Sequence, residues 1–123
     1  IGISDIIKDE LISQGILLAY NLEHNWFALG QVLKQVYRFA KTEAAFQDAC
    51  QRMGIGTRTG YYILRLARRL AQLELRPPTD VSWRLLVETL PCLRRDNYEL
   101  VLAFCRTRTR DELIAAVKAH KLG

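Results

Sequence analysis

The chain is poor in residues that break or redirect a backbone. Its 123 residues include 7 Gly and 3 Pro, and strand-type alternation is not sustained anywhere, which argues against a sheet protein. Histidine is scarcer still: His24 and His120 lie in no nucleophile, metal or acid–base pattern. Cys50, Cys92 and Cys105 form no CxxC pair and have no His at ligand spacing, which speaks against zinc and against a disulfide framework. Cys50 and Cys105 fall on apolar helix faces, as small buried hydrophobes do. The glycines of "GIGTRTG" lack both a preceding strand and a following Lys-Ser/Thr, so a Walker-type phosphate loop is excluded. The apolar run "GILLAY" is far too short to span a bilayer. No catalysis, no cofactor, no metal and no membrane partner is expected.

What remains is helix. Half the residues are hydrophobic and a quarter charged, which fits a folded domain rather than a disordered chain. A first helix is expected from a Ser4 or Asp5 cap through "IIKDELI", with Gly15 as an interruption or a tolerated weak point. Asn25 is placed to cap "WFALGQVLKQVYRFA", whose Leu29, Val32, Leu33, Val36 and Tyr37 form one apolar stripe. Thr42 caps "EAAFQDACQRM", with Ala45, Phe46, Ala49, Cys50 and Met53 inward, and Gly54 follows where a helix ends in a left-handed residue. Beyond "LRPPTDVS", a Ser82 or Asp80 cap opens "WRLLVETL", with Trp83, Leu86, Val87 and Leu90 buried. Capping boxes of Asp96 with Glu99 and of Thr109 with Glu112 open two more helices. Lys118, His120 and Lys121 suit the negative end of the last, before Gly123. The expectation is an all-α multi-helix bundle, residues 1–76 followed by a three-helix extension at 77–123, in one continuous fold. The chain begins at Ile1 rather than Met, so flanking regions with a protein partner of their own are allowed for.

Acids are missing from one stretch. The net charge is +5, yet residues 52–76 hold six Arg against the single acid Glu74, and this segment accounts for the excess. Within it, "GIGTRTGYYILRLARRL" carries two helical stripes. Gly60, Ile63, Leu64, Ala67, Leu70 and Ala71 have the spacing of a face packed on a core, while Arg58, Tyr61, Tyr62, Arg65, Arg68 and Arg69 share the other. A basic ridge of this kind suits a polyanion, because each neutralised phosphate releases condensed counterions.

A short helix, the Gly54–Gly56 turn and a second helix make a helix-turn-helix unit. Gly60 is the small residue needed where the helices cross, opposite Ala49 and Cys50, and Ile55 anchors the turn. In such a unit the start of the second helix meets base edges while neighbouring groups hold phosphates. Arg58 is the first choice for guanine, whose O6 and N7 a guanidinium can bond together. Thr57, Thr59 and Tyr61 suit phosphate or a thymine methyl, and Arg52, Arg65, Arg68 and Arg69 suit the backbone. The alternative is that one of Tyr61 and Tyr62 closes the edge of the core, and that Arg68 and Arg69 form an exposed helix end paired with Glu74 or another acid.

These residues carry a resemblance. "FQDACQRMGIGTRTGYYILRLARRL" resembles the helix-turn-helix of bacterial and phage DNA-binding proteins. With "LELRPPTDVSW", "LLVETLP" and "TRTRDELIAAVKAH" beyond it, residues 26–120 are similar in layout to the DNA-binding region of ParB-type partition proteins. The resemblance implies recognition-helix roles for Thr57, Arg58, Thr59, Tyr61, Tyr62 and Arg65. It also implies sequence-specific binding of double-stranded DNA by a homodimer associated with the bacterial nucleoid in the cytoplasm. Two departures stand out: the Arg-rich nucleotide-binding motif of full partition proteins is absent, and Gly56 stands where Ser or Thr usually caps, leaving Thr57 as a substitute cap. The competing reading is a helical protein-interaction domain whose basic face meets an acidic partner, with structured RNA behind it.

Overall fold

A computed structural model describes residues 3–122. Seven α-helices and one 3-10 turn make up its regular structure, and no strand occurs among the described residues. The chain divides into two compact units, one reaching to Arg68 and the other starting at Arg69. The division lies inside the fourth helix, ahead of the expected boundary at 76/77.

In the first unit, α1 (Ile3–Ala19) is unbroken. Gly15 is tolerated because it serves packing: a Cβ there would lie 2.4 Å from the Met53 sulphur. Ser4 and Asp5 lie inside α1 rather than ahead of it, and the cap position itself is outside the described residues. The second helix, α2 (Leu22–Phe39), begins behind Asn21, so Asn25 is not its cap. The Asn25 amide donates instead to the Leu18 carbonyl at 3.3 Å, tying the corner between α1 and α2. Leu29, Val32, Leu33 and Val36 are buried as the periodicity requires. Tyr37 is not: one helical step past Val36, at the border of the stripe, it is 44% exposed.

The third helix, α3 (Glu43–Met53), starts at Thr42, whose hydroxyl accepts from the Ala45 amide at 3.1 Å. It stops at Gly54, left-handed at φ 81°. The Gly54 and Ile55 amides bond back to Gln51 and Cys50, the arrangement glycine adopts at least steric cost. Phe46, Ala49, Cys50 and Met53 are buried and Ala45 is half-buried. Burial pushes the Cys50 thiol up to about 11, as expected for a packed residue rather than a reactive one.

The fourth helix, α4 (Thr57–Gln72), is positioned by two missing side chains. A Cβ on Gly60 would lie 2.7 Å from the Cys50 sulphur, and a Cβ on Gly30 would lie 2.5 Å from that of Ala67. So α3 and α2 each approach α4 more closely than any larger residue permits. Ile63, Leu64, Ala67 and Leu70 are buried as read from the sequence, together with Leu66. Ala71, expected among them, is exposed.

In the second unit, α4 ends with Glu74 at φ 55° and a Leu75 amide bonded back to the Leu70 carbonyl. "LRPPTDVS" is a fastened connector: the Tyr98 hydroxyl donates to the Arg76 carbonyl at 2.6 Å and Arg106 grips Asp80 at 2.8 Å. Ser82 caps α5 (Trp83–Leu86) through the Arg84 amide, but "WRLLVETL" does not continue as one helix. It tightens into a 3-10 turn at Val87–Thr89. There the buried Thr89 hydroxyl donates to the Leu86 carbonyl at 2.6 Å, and Val87 and Leu90 are only half-buried.

The Asp96–Glu99 capping box is likewise not formed. Asp96 pairs with Arg94 at 2.9 Å, and α6 (Tyr98–Thr107) follows Asn97, which makes no side-chain cap. Asn97 is buried and acts as a staple. Its Oδ1 accepts from the Arg94 amide at 2.8 Å, and its Nδ2 donates to the Cys92 and Leu122 carbonyls, each at 2.7 Å. The Thr109–Glu112 box opens α7 (Arg110–Lys118) as expected. At the far end His120 turns left-handed at φ 56° and the Lys121 amide returns to the Ala116 carbonyl, so backbone bonds close this helix; Gly123 lies outside the described residues. Cys105 is buried, and its thiol is pushed up to about 11 by that burial.

Candidate nucleic-acid interface

The turn between α3 and α4 spans Gly54, Ile55 and Gly56. Ile55 is buried and holds the turn down. Gly56 gives its carbonyl to the Gly60 amide at 2.9 Å, so the ladder of α4 starts from a residue with no side chain to cap it. Thr57 is already helical, which removes it as the substitute cap. Thr57 and Thr59 are half-exposed on the first turn, and Arg58 between them is exposed.

Two adjacent tyrosines part company here. Tyr61 turns inward and packs on Phe46, with ring centroids 4.8 Å apart. Its hydroxyl is shielded from solvent, and burial together with the Glu43 carboxylate raises its pKa above the usual phenol value. It therefore closes the core edge and does not stand ready for phosphate. Tyr62 remains half-buried on the outer face. The Arg58 and Arg65 guanidinium carbons lie 5.9 and 5.8 Å from its ring centroid, so one tyrosine carries a cation on either side. Arg68 sits 4.7 Å from the ring centroid of Tyr37, a residue the sequence reading had assigned to the core. Contacts of this kind contribute about 0.5–1 kcal/mol each at exposed sites.

The other two arginines depart from expectation. Arg69 is half-buried in the second unit and donates to the Leu93 carbonyl at 3.0 Å, which removes it from a phosphate-binding face. Neither it nor Arg68 pairs with Glu74, which is bonded by Arg95 at 2.8 Å. Arg52, on α3, is paired with Asp9 at 3.4 Å and borders a groove beside α1. The outer face of α4 is thus narrower than the sequence suggested: Thr57, Arg58, Thr59, Tyr62, Arg65 and Arg68.

Its electrostatics are nonetheless unusual within this chain. The sixteen residues of α4 include no acid. Arg52, Arg94, Arg95, Arg106 and Arg110 are each within 3.4 Å of a carboxylate. Among the described residues, no carboxylate pairs with Arg58, Arg65 or Arg68; their guanidinium groups face tyrosine rings. Comparison of the chain with protein-family models, curated proteins and solved structures gives no match.

Proposed function

We propose that the chain binds double-stranded DNA, with α3, the Gly54–Gly56 turn and α4 acting as a helix-turn-helix, in a regulatory or partition-type role and as a homodimer. One observation carries the reading: Arg58, Arg65 and Arg68 stand together on an acid-free helix without carboxylate partners, whereas Arg52, Arg94, Arg95, Arg106 and Arg110 are each paired with Asp or Glu. Three cations on one ridge repel one another, and a polyanion relieves that repulsion while releasing its own counterions. The tyrosine rings hold the guanidinium groups in place without cancelling their charge, so less freedom is lost on binding.

Arg58, on the first turn of α4, is assigned to base edges, and Arg65 and Arg68 to the phosphate backbone. Thr57 and Thr59 flank Arg58 with short hydroxyls suited to phosphate oxygens. The first-turn amides behind Gly56, at the positive end of α4, add fixed donors for the same anion.

Selection of random duplexes by the purified chain tests the reading, and an enriched sequence with two half-sites about one helical turn apart is the expected result. Arg58→Ala then relaxes the choice at one base pair by about 1–3 kcal/mol. Arg68→Ala weakens all duplexes alike and lowers the log–log salt slope by about 1. Weak, unsaturable binding without sequence preference would refute the proposal and favour an acidic protein as the partner.

A further inference from the structure

The helix farthest in sequence from the second unit has an outer face that the fold leaves uncovered. On α1, Leu11, Ile12 and Gly15 are buried. The opposite side exposes Ile6 by 60% and Leu17 by 70%, with Ile16 beside them, and Tyr20 in the turn directly after α1 is 83% exposed. Residues 6, 10, 13, 17 and 20 alternate steps of four and three, the spacing of a seam that faces another helix. Three large apolar groups on one such seam are more than scattered surface hydrophobes.

The charges on α1 are lopsided. Lys8 and the acids Asp5, Asp9 and Glu10 occupy its first half, and residues 11–20 carry no charge. A groove of about 340 Å³ opens beside the uncharged half, lined by Ile16, Ala19, Tyr20 and Met53 with Arg52 at its rim.

We propose that α1 is the surface through which two copies of the chain pair, the two α1 helices running antiparallel about an axis at Ser13. Antiparallel seating brings the partner's Ile6 to Tyr20 and the groove, and its acidic first turns to the neighbourhood of Arg52. Parallel seating would instead set Asp5, Asp9 and Glu10 of both copies side by side, which like-charge repulsion disfavours. Polar Glu10 and Ser13 fall at the centre of the seam and Ile6, Leu17 and Tyr20 toward its ends, so each apolar end meets the other copy's opposite apolar end. A helix of 17 residues is roughly 25 Å long, which places the contact at the small end of stable interfaces, and the dimer dissociates on dilution.

The proposal goes beyond DNA recognition, and its test contains no DNA. Sedimentation velocity of the full chain over a dilution series should show a monomer–dimer equilibrium. Leu17→Glu, on a side chain already in solvent, should keep the circular dichroism spectrum and raise the dissociation constant at least about tenfold, that is about 1.4 kcal/mol. In a Cys92→Ser background, a short bis-maleimide should link Ser13→Cys to itself and Ile6→Cys to Tyr20→Cys, but not Ile6→Cys to itself. A chain that stays monomeric at every loading assigns the α1 face to a different occupant and overturns the proposal. So does a dimer indifferent to Leu17→Glu, or self-linkage of Ile6→Cys. A monomer at every loading would also remove the homodimer from the proposed function, while the DNA contacts assigned to Arg58, Arg65 and Arg68 are tested separately by duplex selection.

Discussion

Replacing Gly60 by Ala isolates the contact that holds α4 against α3. The added methyl would lie 2.7 Å from the Cys50 sulphur, but 3.6 Å from the Ile55 Cδ1 and 3.8 Å from the Cys50 Cβ. The last two distances are ordinary contacts, so the sulphur is the one obstacle, about 1 Å too close. It cannot swing clear easily, because Cys50 is fully buried and its sulphur is a single bond from Cβ. Overpacking of this kind costs about 1–3 kcal/mol. Ala is the better helix former by about 1 kcal/mol, leaving a net loss of about 0–2 kcal/mol and a melting temperature lower by up to roughly 8 °C. In a Cys50→Ala background the obstacle is gone and the methyl fills part of the space the sulphur leaves. There Gly60→Ala should be neutral or stabilising. Urea denaturation of the four proteins completes a double-mutant cycle, with an expected coupling of about 2 kcal/mol. Additive losses would mean that the crossing is set by something other than Cys50 against Gly60, and the account of how α4 is aimed would fail with it.

Other consequences follow from the second unit. Asn97→Ala removes the partner of the Arg94 amide and of the Cys92 and Leu122 carbonyls; a loss of about 2–4 kcal/mol in urea is expected, and Asn97→Asp, which restores only the acceptor, should not recover it. His120→Gly relieves a left-handed side-chain residue and should stabilise by about 0.5–1 kcal/mol, the strain removed exceeding the entropy glycine adds to the unfolded chain; a lower urea midpoint would refute this. Asp80 is held below the usual carboxylate range by the hydrogen bond from Arg106, and Glu112 by the Thr109 amide. For both, the folded pKa is depressed, so the stability they add is complete above the unfolded value and is lost as the pH falls below about 4. Asp80→Asn combined with Glu112→Gln should therefore flatten the acid limb of a plot of urea midpoint against pH, and an unchanged limb would contradict the assignment.

Helix existence was legible because apolar residues recur at three and four along nearly every segment, the caps at Thr42 and Thr109 were legible from the polar residue at each start, and Ser82 is the one of the pair Ser82 and Asp80 that caps α5. Asn25 and Asp96, which the spacing places at helix starts, are engaged elsewhere. Asn21 and Asn25 both precede apolar periodicity, and the choice between them depends on where α1 ends and the chain turns. Asp96 has the capping-box spacing, but its carboxylate pairs with Arg94, and Asn97 beside it bonds three backbone groups that sequence spacing does not bring together. A glycine inside a helix marks close approach by a neighbour, and for Gly30 that neighbour is Ala67.

The basic face was legible as a stripe and not as a set of partners. Helical spacing says that Arg58, Arg65, Arg68 and Arg69 leave the same side of α4, but it is silent on what each meets. The answer for Arg69 is a carbonyl at Leu93 and for Glu74 it is Arg95, both more than twenty residues away. Exposed ion pairs contribute about 0–1 kcal/mol each, so pairing matters here less for stability than for what it removes from the surface. An arginine engaged by Asp or Glu must lose that partner before it can take a phosphate, and the exchange returns little. Arg58, Arg65 and Arg68 have no such partner to lose; the groups beside them are the Tyr62 and Tyr37 rings, which carry no compensating charge. That difference, set by tertiary neighbours, separates these three from Arg52, Arg94, Arg95, Arg106 and Arg110.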